Sequence, residues 1–171
     1  MEFVQYEEAI ANYYTSLTFK SLPLLSWNFF AENLDKMKMT LSDSLALKNL
    51  VSQNKWKTSW DFKDQLQDNT VIVVTDPSLK IVFASNNIVT MNGYYPKEVI
   101  GNSPKMFQGE QTDNTISKEI SFAVRNQKPF DKIIINYCKD GSIYKCQIKG
   151  YPIFNNRGIL TNFIAFEKIA A

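Results

Sequence analysis

The sequence predicts an α+β fold in which a five-stranded antiparallel sheet carries helices on one face, preceded by a helical N-terminal extension. Two observations lead to this prediction. After residue 69 the chain reads as strand, strand, several short helical pieces and then three further strands. Residues 1–56, in contrast, repeat apolar side chains at helical spacing. A sheet covered by helices on one face is the compact arrangement for such elements, and we expect a pocket between the two layers.

The N-terminal extension is expected to contain three helices. An amphipathic helix is predicted over residues 2–20, and Pro23 ends it because proline cannot continue the hydrogen-bond ladder. Further helices are predicted from Phe29 to Met39 and from Asp43 to Gln53, with a break and a cap at residues 40–43. These helices either pack on the following domain and complete its core or form a dimer interface. The two roles are compatible.

A change from helical to strand patterning marks the start of the sheet. Ser59 is a candidate cap for a short helix that runs through Leu66. The strands are predicted where β-branched or alternating residues run between turn signals, and they cover residues 71–74, 81–84, 132–138, 143–152 and 160–168. We therefore divide the chain into a helical extension (1–56), a connecting helix (57–68) and a sheet domain (69–171).

Two helices are predicted between the second and third strands. Pro96 stands at a first helical position and Gly101 follows the end of that short helix. Thr112 or Asp113 caps a longer helix that ends near Asn126.

Composition and charge exclude several classes of function. Apolar residues make up 44% of the chain and charged residues 21%, which is typical of a packed globular core. The net charge of +2, without a dense basic run, argues against a nucleic-acid partner. No apolar stretch is long enough to span a membrane, and the acidic N-terminus lacks a signal pattern. We expect a cytoplasmic protein.

The chain has no histidine and two cysteines. Without histidine it can form no Ser-His or Cys-His nucleophile pair and no His-containing zinc site. Residues 139–142 read as a hairpin turn. A two-residue turn would put Cys138 opposite Ile143, and a three-residue loop would put it opposite Tyr144. Neither register pairs it with Cys146, so we predict two reduced thiols. The carboxylates are scattered, no acid–base pair is apparent, and we expect neither an enzyme nor a metal site.

A set of motifs in matching order resembles the PAS domain family. They read VTD at 74–76, IVFASN at 81–86, NGY at 92–94, EVIG at 98–101, NYCKDG at 136–141 and FIA at 163–165. The loop GNSPKMFQG at 101–109 is similar to the pattern GxNCRFLQG of LOV domains, the flavin-binding branch of that family. The resemblance covers about residues 69–168 and implies a PAS fold.

The resemblance to LOV domains implies roles for the residues of the loop. Their reactive cysteine, which adds to flavin carbon C4a after blue light, corresponds to Pro104, so that adduct cannot form here. The preceding asparagine corresponds to Ser103. The phosphate-binding arginines correspond to Lys105 and Ser121, and Lys105 keeps the charge but loses the bidentate fork. Gln108 matches the glutamine beside the ribityl chain.

The resemblance also implies roles for three residues of the sheet. Asn136 matches the first of two asparagines that contact the flavin ring edge, and the second corresponds to Cys146, a much weaker donor. The signalling glutamine corresponds to Glu167, which has no donor unless it is protonated. Because two identities persist and five positions besides Pro104 differ, we expect a vestigial pocket with no tightly bound cofactor, and noncovalent FMN is the alternative. Apolar side chains could fill the pocket: Met91, Met106, Phe107, Phe122 and Phe166.

These expectations predict a non-catalytic PAS module of signal transduction. It would be insensitive to light and would act by association, either as a homodimer through the N-terminal helices or with an unknown signalling partner. A small ligand could gate it. Since the last predicted strand ends at residue 168, close to Ala171, we expect the signal to leave through a surface of the chain itself.

Overall fold

The computed structural model describes residues 25–58 and 60–170. The helix predicted over residues 2–20 therefore lies outside the described residues. The helices are α1 (Leu25–Asn54), α2 (Phe62–Gln67), α3 (Ile88–Asn92), α4 (Pro96–Val99) and α5 (Asn114–Arg125), and a 3-10 turn, η1, covers Pro104–Phe107. The strands are β1 (Val71–Thr75), β2 (Ile81–Ala84), β3 (Phe130–Tyr137), β4 (Ile143–Phe154) and β5 (Leu160–Ile169). The chain divides into two compact units, residues 1–36 and 37–171, and the sheet belongs to the second.

The five strands form one sheet in the order β2-β1-β5-β4-β3, and all neighbouring strands are antiparallel. The predicted architecture is confirmed. The register of β1 against β5 pairs Val71 with Glu167 and Thr75 with Phe163. Since side chains alternate between the faces of a strand, Val71, Val73 and Thr75 share one face of β1. This alternation decides which residues can reach the pocket.

Both faces of the sheet are packed. On one face, Val71 and Val73 lie in a buried cluster with residues of α3, α4 and η1, among them Ile88, Val99 and Phe107. On the opposite face, a second cluster contains Ile72, Val74, Phe83, Ile153 and Ile164 of the sheet, together with Leu47 of α1, Trp56, and Phe62 and Leu66 of α2. The part of α1 after Met37 therefore packs on the sheet and completes the core of the sheet domain. This is one of the two roles predicted for the N-terminal helices.

Helix α1 is continuous where a break was predicted. Residues 40–43 lie inside it, and the expected boundary between two helices is wrong. Asp43 was predicted to cap the helix that follows it in the chain. Its carboxylate instead accepts hydrogen bonds from the backbone N–H of Asn86, at 2.8 Å, and from the Asn86 side-chain amide, at 2.7 Å. A side chain engaged by a residue 43 positions away cannot cap locally.

Trp56 fixes the chain between α1 and α2 to the sheet. Its indole N–H donates to Oδ1 of Asn162 at 2.8 Å, and the Asn162 amide donates in turn to the carbonyl of Thr75 at 3.1 Å. Trp56 and Asn162 are both buried. A buried polar group without a partner is costly, so this chain of bonds lets an indole and an amide lie within the core.

Two local predictions need correction. Asp61 caps α2, because its side chain accepts from the backbone N–H of Lys63; the predicted cap, Ser59, lies outside the described residues. In the β3–β4 hairpin, the N–H of Cys138 bonds the carbonyl of Ser142. This places Cys138 opposite Ser142, so both expected registers, opposite Ile143 and opposite Tyr144, are wrong. The Asp140 side chain accepts from the N–H of Ser142 and tightens the turn. The predicted cap Asp113 of α5 is confirmed.

The two cysteines form no disulfide, as predicted. Cys146 pairs with Ile134 in the β3–β4 ladder, whereas Cys138 lies at the end of that ladder. No described helix is long and apolar enough to cross a lipid bilayer.

Candidate functional site

A cavity of about 130 Å³ lies between the sheet and the helical layer. Strands β1, β3, β4 and β5 form its floor, and η1 and α5 form its roof. Its apolar walls include Val73, Ile120, Val124, Ile148 and Phe163. The cavity is therefore a partly open and largely apolar space that a few polar side chains enter.

The turn η1 carries the first group of polar residues. Ser103 caps the turn by accepting from the backbone N–H of Lys105, and Pro104 occupies its first position, where the fixed φ of proline is favourable. Phe107 is buried and packs edge-to-face on Tyr94, with ring centroids 5.7 Å apart. Because Phe107 anchors the turn in the core, Ser103, Pro104 and Lys105 are held at the cavity wall.

Gln108 connects the turn to α5. Its side-chain oxygen accepts a hydrogen bond from the Ser117 hydroxyl at 3.2 Å, and both residues line the cavity. Ser121, one helical turn further on, also lines it and bonds back to the carbonyl of Ser117. Gln108, Ser117 and Ser121 thus form a polar strip on the α5 side of the cavity.

Glu167 brings a carboxyl group to the floor of the cavity. It is buried within β5, and burial raises the pKa of its carboxyl from 4.5 to about 7. The thiol of Cys146 donates to it across 3.7 Å and partly offsets that rise. Burial, together with the neighbouring Glu167, raises the pKa of the Cys146 thiol itself. A thiol in this state is a weak nucleophile, because the thiolate is the reactive form.

Asn136 is the second polar residue of the floor. It is buried in β3 and lines the cavity. Its side chain also hydrogen-bonds with the phenol of Tyr144, which receives a further bond from the Asn92 amide at 3.4 Å. Burial raises the pKa of the Tyr144 hydroxyl, so this group of side chains stays uncharged. Of this group only Asn136 lines the cavity, where its amide can orient a ligand but provides no acid or base at neutral pH.

The structure brings most of the predicted site residues to one cavity. Of the eight positions assigned by resemblance, seven line it: Ser103, Pro104, Lys105, Gln108, Ser121, Asn136 and Glu167. The eighth, Cys146, lies behind them, in contact with Glu167. Two polar lining residues, Thr75 and Ser117, were missed. The alternation of β1 could have located Thr75, because it shares a face with Val73.

Of the five side chains expected to fill the pocket, only Phe107 is among the residues that line it. Met91 and Met106 pack in the buried cluster of α3, α4 and η1. Phe122 is 63% exposed on α5. Phe166 packs on the opposite face of the sheet, with ring centroids 5.6 Å from Trp60 and 6.1 Å from Tyr151. Within the described residues no group of carboxylates and cysteines is arranged to hold a metal ion.

Comparison with known proteins matches the sheet domain. A family model described as "PAS domain" matches residues 68–168. Protein TWIN LOV 1 of Arabidopsis thaliana is 37% identical over 98 residues, which are 55% of this chain and 25% of that protein. Phototropin-2 of Oryza sativa subsp. japonica is 32% identical over 115 residues, which are 65% of this chain and 13% of that protein. The chain thus spans a quarter or less of these relatives.

Solved structures agree with this match. One described as "Flavin Analogue Sheds Light on Light-Oxygen-Voltage Domain Mechanism" superposes with a TM-score of 0.61 at 25% identity. The superposition covers 64% of this chain and 84% of that one. The similarity therefore extends from sequence motifs to the arrangement of the sheet and its helices.

Proposed function

This chain belongs to the PAS domain family and carries a LOV-like sensory domain, and we propose that it acts by protein association, without catalysis and without a light-driven bond to flavin. The observation that carries the proposal is the composition of the cavity wall. Pro104, which corresponds by resemblance to the reactive cysteine of LOV domains, is one of the lining residues. Proline has no group that can add to a flavin ring.

The positions of the two cysteines support the same proposal. The sulfur of Cys138 lies 3.9 Å from the carbonyl of Met91, at the edge of the sheet. The sulfur of Cys146 is engaged by Glu167, and the pKa of its thiol is raised. Neither residue is among those that line the cavity, so the chain brings no thiol to the place where an adduct would form.

Association is supported by an exposed apolar stripe on α1. Met37, Leu41 and Leu45 are spaced four residues apart, and their exposed fractions are 62%, 62% and 53%. Residues at this spacing lie on one face of a helix. We propose that a second copy of the chain covers this stripe, with the two helices packed along their apolar faces. Large exposed apolar surface of this kind marks interaction sites.

Light scattering of the full chain tests the association. Wild type should form a dimer, and the double substitution Leu41→Lys and Leu45→Lys should shift the population toward monomer. Ser42→Lys combined with Gln53→Lys is the matched control: it adds the same two charges at exposed positions of the helix, about 100–120° around from Leu41, and it should leave the dimer intact. A wild-type monomer at all concentrations, or a dimer unaffected by the double substitution, would contradict the proposal.

Noncovalent binding of FMN is the second candidate. Gln108, Asn136 and Lys105 line one cavity, and they match or replace flavin-contacting positions of LOV domains by resemblance. A titration with FMN followed by flavin fluorescence tests this candidate directly. Saturable binding that is weakened by Gln108→Ala and Asn136→Ala would favour it over the ligand-free module.

A further inference from the structure

We propose that the cavity is a binding site for a small uncharged molecule, about the size of one six-membered ring, that carries a hydrogen-bonding group. This inference rests on the proposed function, because it names the ligand class that would gate the sensory module. It departs from the flavin of the similar proteins. Three observations support it: the volume of the cavity, an unpaired hydroxyl in its wall, and the charges around it.

The size of the cavity limits the ligand. Its volume of about 130 Å³ is close to the roughly 150 Å³ of an apolar protein cavity that binds benzene. Pockets for larger ligands begin at about 300 Å³. A three-ring flavin therefore exceeds the inner space and would have to extend out through its open side, whereas a single ring with one substituent fits inside. The walls, among them Val73, Ile148 and Phe163, suit the faces of such a ring.

An unpaired hydroxyl indicates that the ligand has a polar group. Thr75 lines the cavity, is only 6% exposed, and its hydroxyl has no hydrogen-bond partner among the described residues. A buried polar group without a partner destabilises the fold. A ligand that bonds this hydroxyl would remove the penalty, so binding and stability would be linked.

The charges around the cavity favour an uncharged ligand. Glu167 lies in the floor, near the β1 residue Val71, and Thr75 lies four residues along the same strand. An anion in the interior would be repelled by the carboxylate form of Glu167 and would lose its hydration. Lys105 is the one cation of the lining, and it is exposed. A neutral hydroxyl or amide group bonds with Thr75 or Glu167 at no such cost.

Calorimetric titration of the full chain with phenol, benzene, benzoate and riboflavin tests the inference. Phenol should bind in the submillimolar range, about five times more tightly than benzene because of its hydroxyl. Benzoate should bind at least about ten times more weakly than phenol, and riboflavin should not compete with phenol. Absence of phenol binding, tighter binding of benzoate, or displacement of phenol by riboflavin would each overturn the inference.

Substitutions locate the binding to this cavity. Ser121→Phe places a ring in the cavity and should weaken phenol binding at least about tenfold, whereas Thr115→Phe, at an exposed position of the same helix, should not. Thr75→Val keeps the shape, removes the hydroxyl and should cost phenol about fivefold in affinity while leaving benzene unchanged. Equal phenol binding by wild type and Ser121→Phe would overturn the assignment of the site.

The outcome is separable from that of the proposed function. A chain that dimerises through the α1 stripe but binds none of the rings would refute only the ligand class. A chain that binds phenol but remains monomeric would refute association while leaving the ligand site in place.

Discussion

Ionisation of Glu167 should make the domain less stable as the pH rises. The carboxyl is buried, and its pKa of about 7 in the folded state exceeds the ordinary 4.5 of an unfolded chain. The folded state therefore holds this proton more tightly than the unfolded state. The resulting stabilisation is fully present below pH 4.5 and is lost as the pH rises through 7.

The magnitude follows from the difference between the two pKa values. One pKa unit corresponds to about 1.4 kcal/mol, so ionising Glu167 in the folded state costs on the order of 3 kcal/mol at alkaline pH. Between about pH 5 and about pH 8.5, this group alone should lower the free energy of unfolding by about 2–3 kcal/mol. That is a large part of the stability of a domain of this size.

Urea denaturation at both pH values, followed by tryptophan fluorescence, measures the effect. Glu167→Gln cannot ionise, so its free energy of unfolding should fall about 2–3 kcal/mol less than that of wild type. Glu110→Gln, at an exposed loop position, is the control and should follow wild type. Parallel pH profiles for wild type and Glu167→Gln would refute the reasoning.

Two further substitutions test the attachment of α1 to the sheet. Leu47→Ala removes a fully buried side chain from the core and should lower the free energy of unfolding by about 2–5 kcal/mol. Gln53→Ala, at an exposed position of the same helix outside the apolar stripe, should change it by less than about 0.5 kcal/mol. Asp43→Ala removes both hydrogen bonds to Asn86 and should lower the free energy of unfolding by about 1–3 kcal/mol. Urea denaturation measures each value. A Leu47→Ala protein as stable as wild type would show that α1 is not part of the core.

Sequence patterns predicted the sheet well because its strands are short, β-branched and separated by strong turn signals. The same local rules failed at residues 40–43, where cap-type residues stand inside a continuous helix. The side chain of Asp43 contacts Asn86, which is 43 positions away in the chain. A prediction made from neighbouring residues cannot include such a contact.

The candidate site could be predicted in part. The motif resemblance identified Gln108, Asn136 and Glu167, and all three line the cavity. It could not give the volume of the cavity, because volume depends on which large side chains turn inward. Phe122 was expected in the pocket and is exposed on the surface of α5. Thr75 was missed because no motif assigns a role to a threonine in the first strand.

The central claim is that this sensory domain works without a cysteine–flavin bond, and illumination of the full chain tests it most directly. The absorption spectrum is recorded with excess FMN and no added reductant, before and after blue light. We predict that blue light produces no flavin species with the absorption of a C4a adduct; photoreduced flavin, which forms without a cysteine, is distinguished by its own spectrum. An adduct spectrum that appears under blue light and reverts to that of oxidised flavin in darkness would contradict the account, since the adduct would require a reactive group where Pro104 lies.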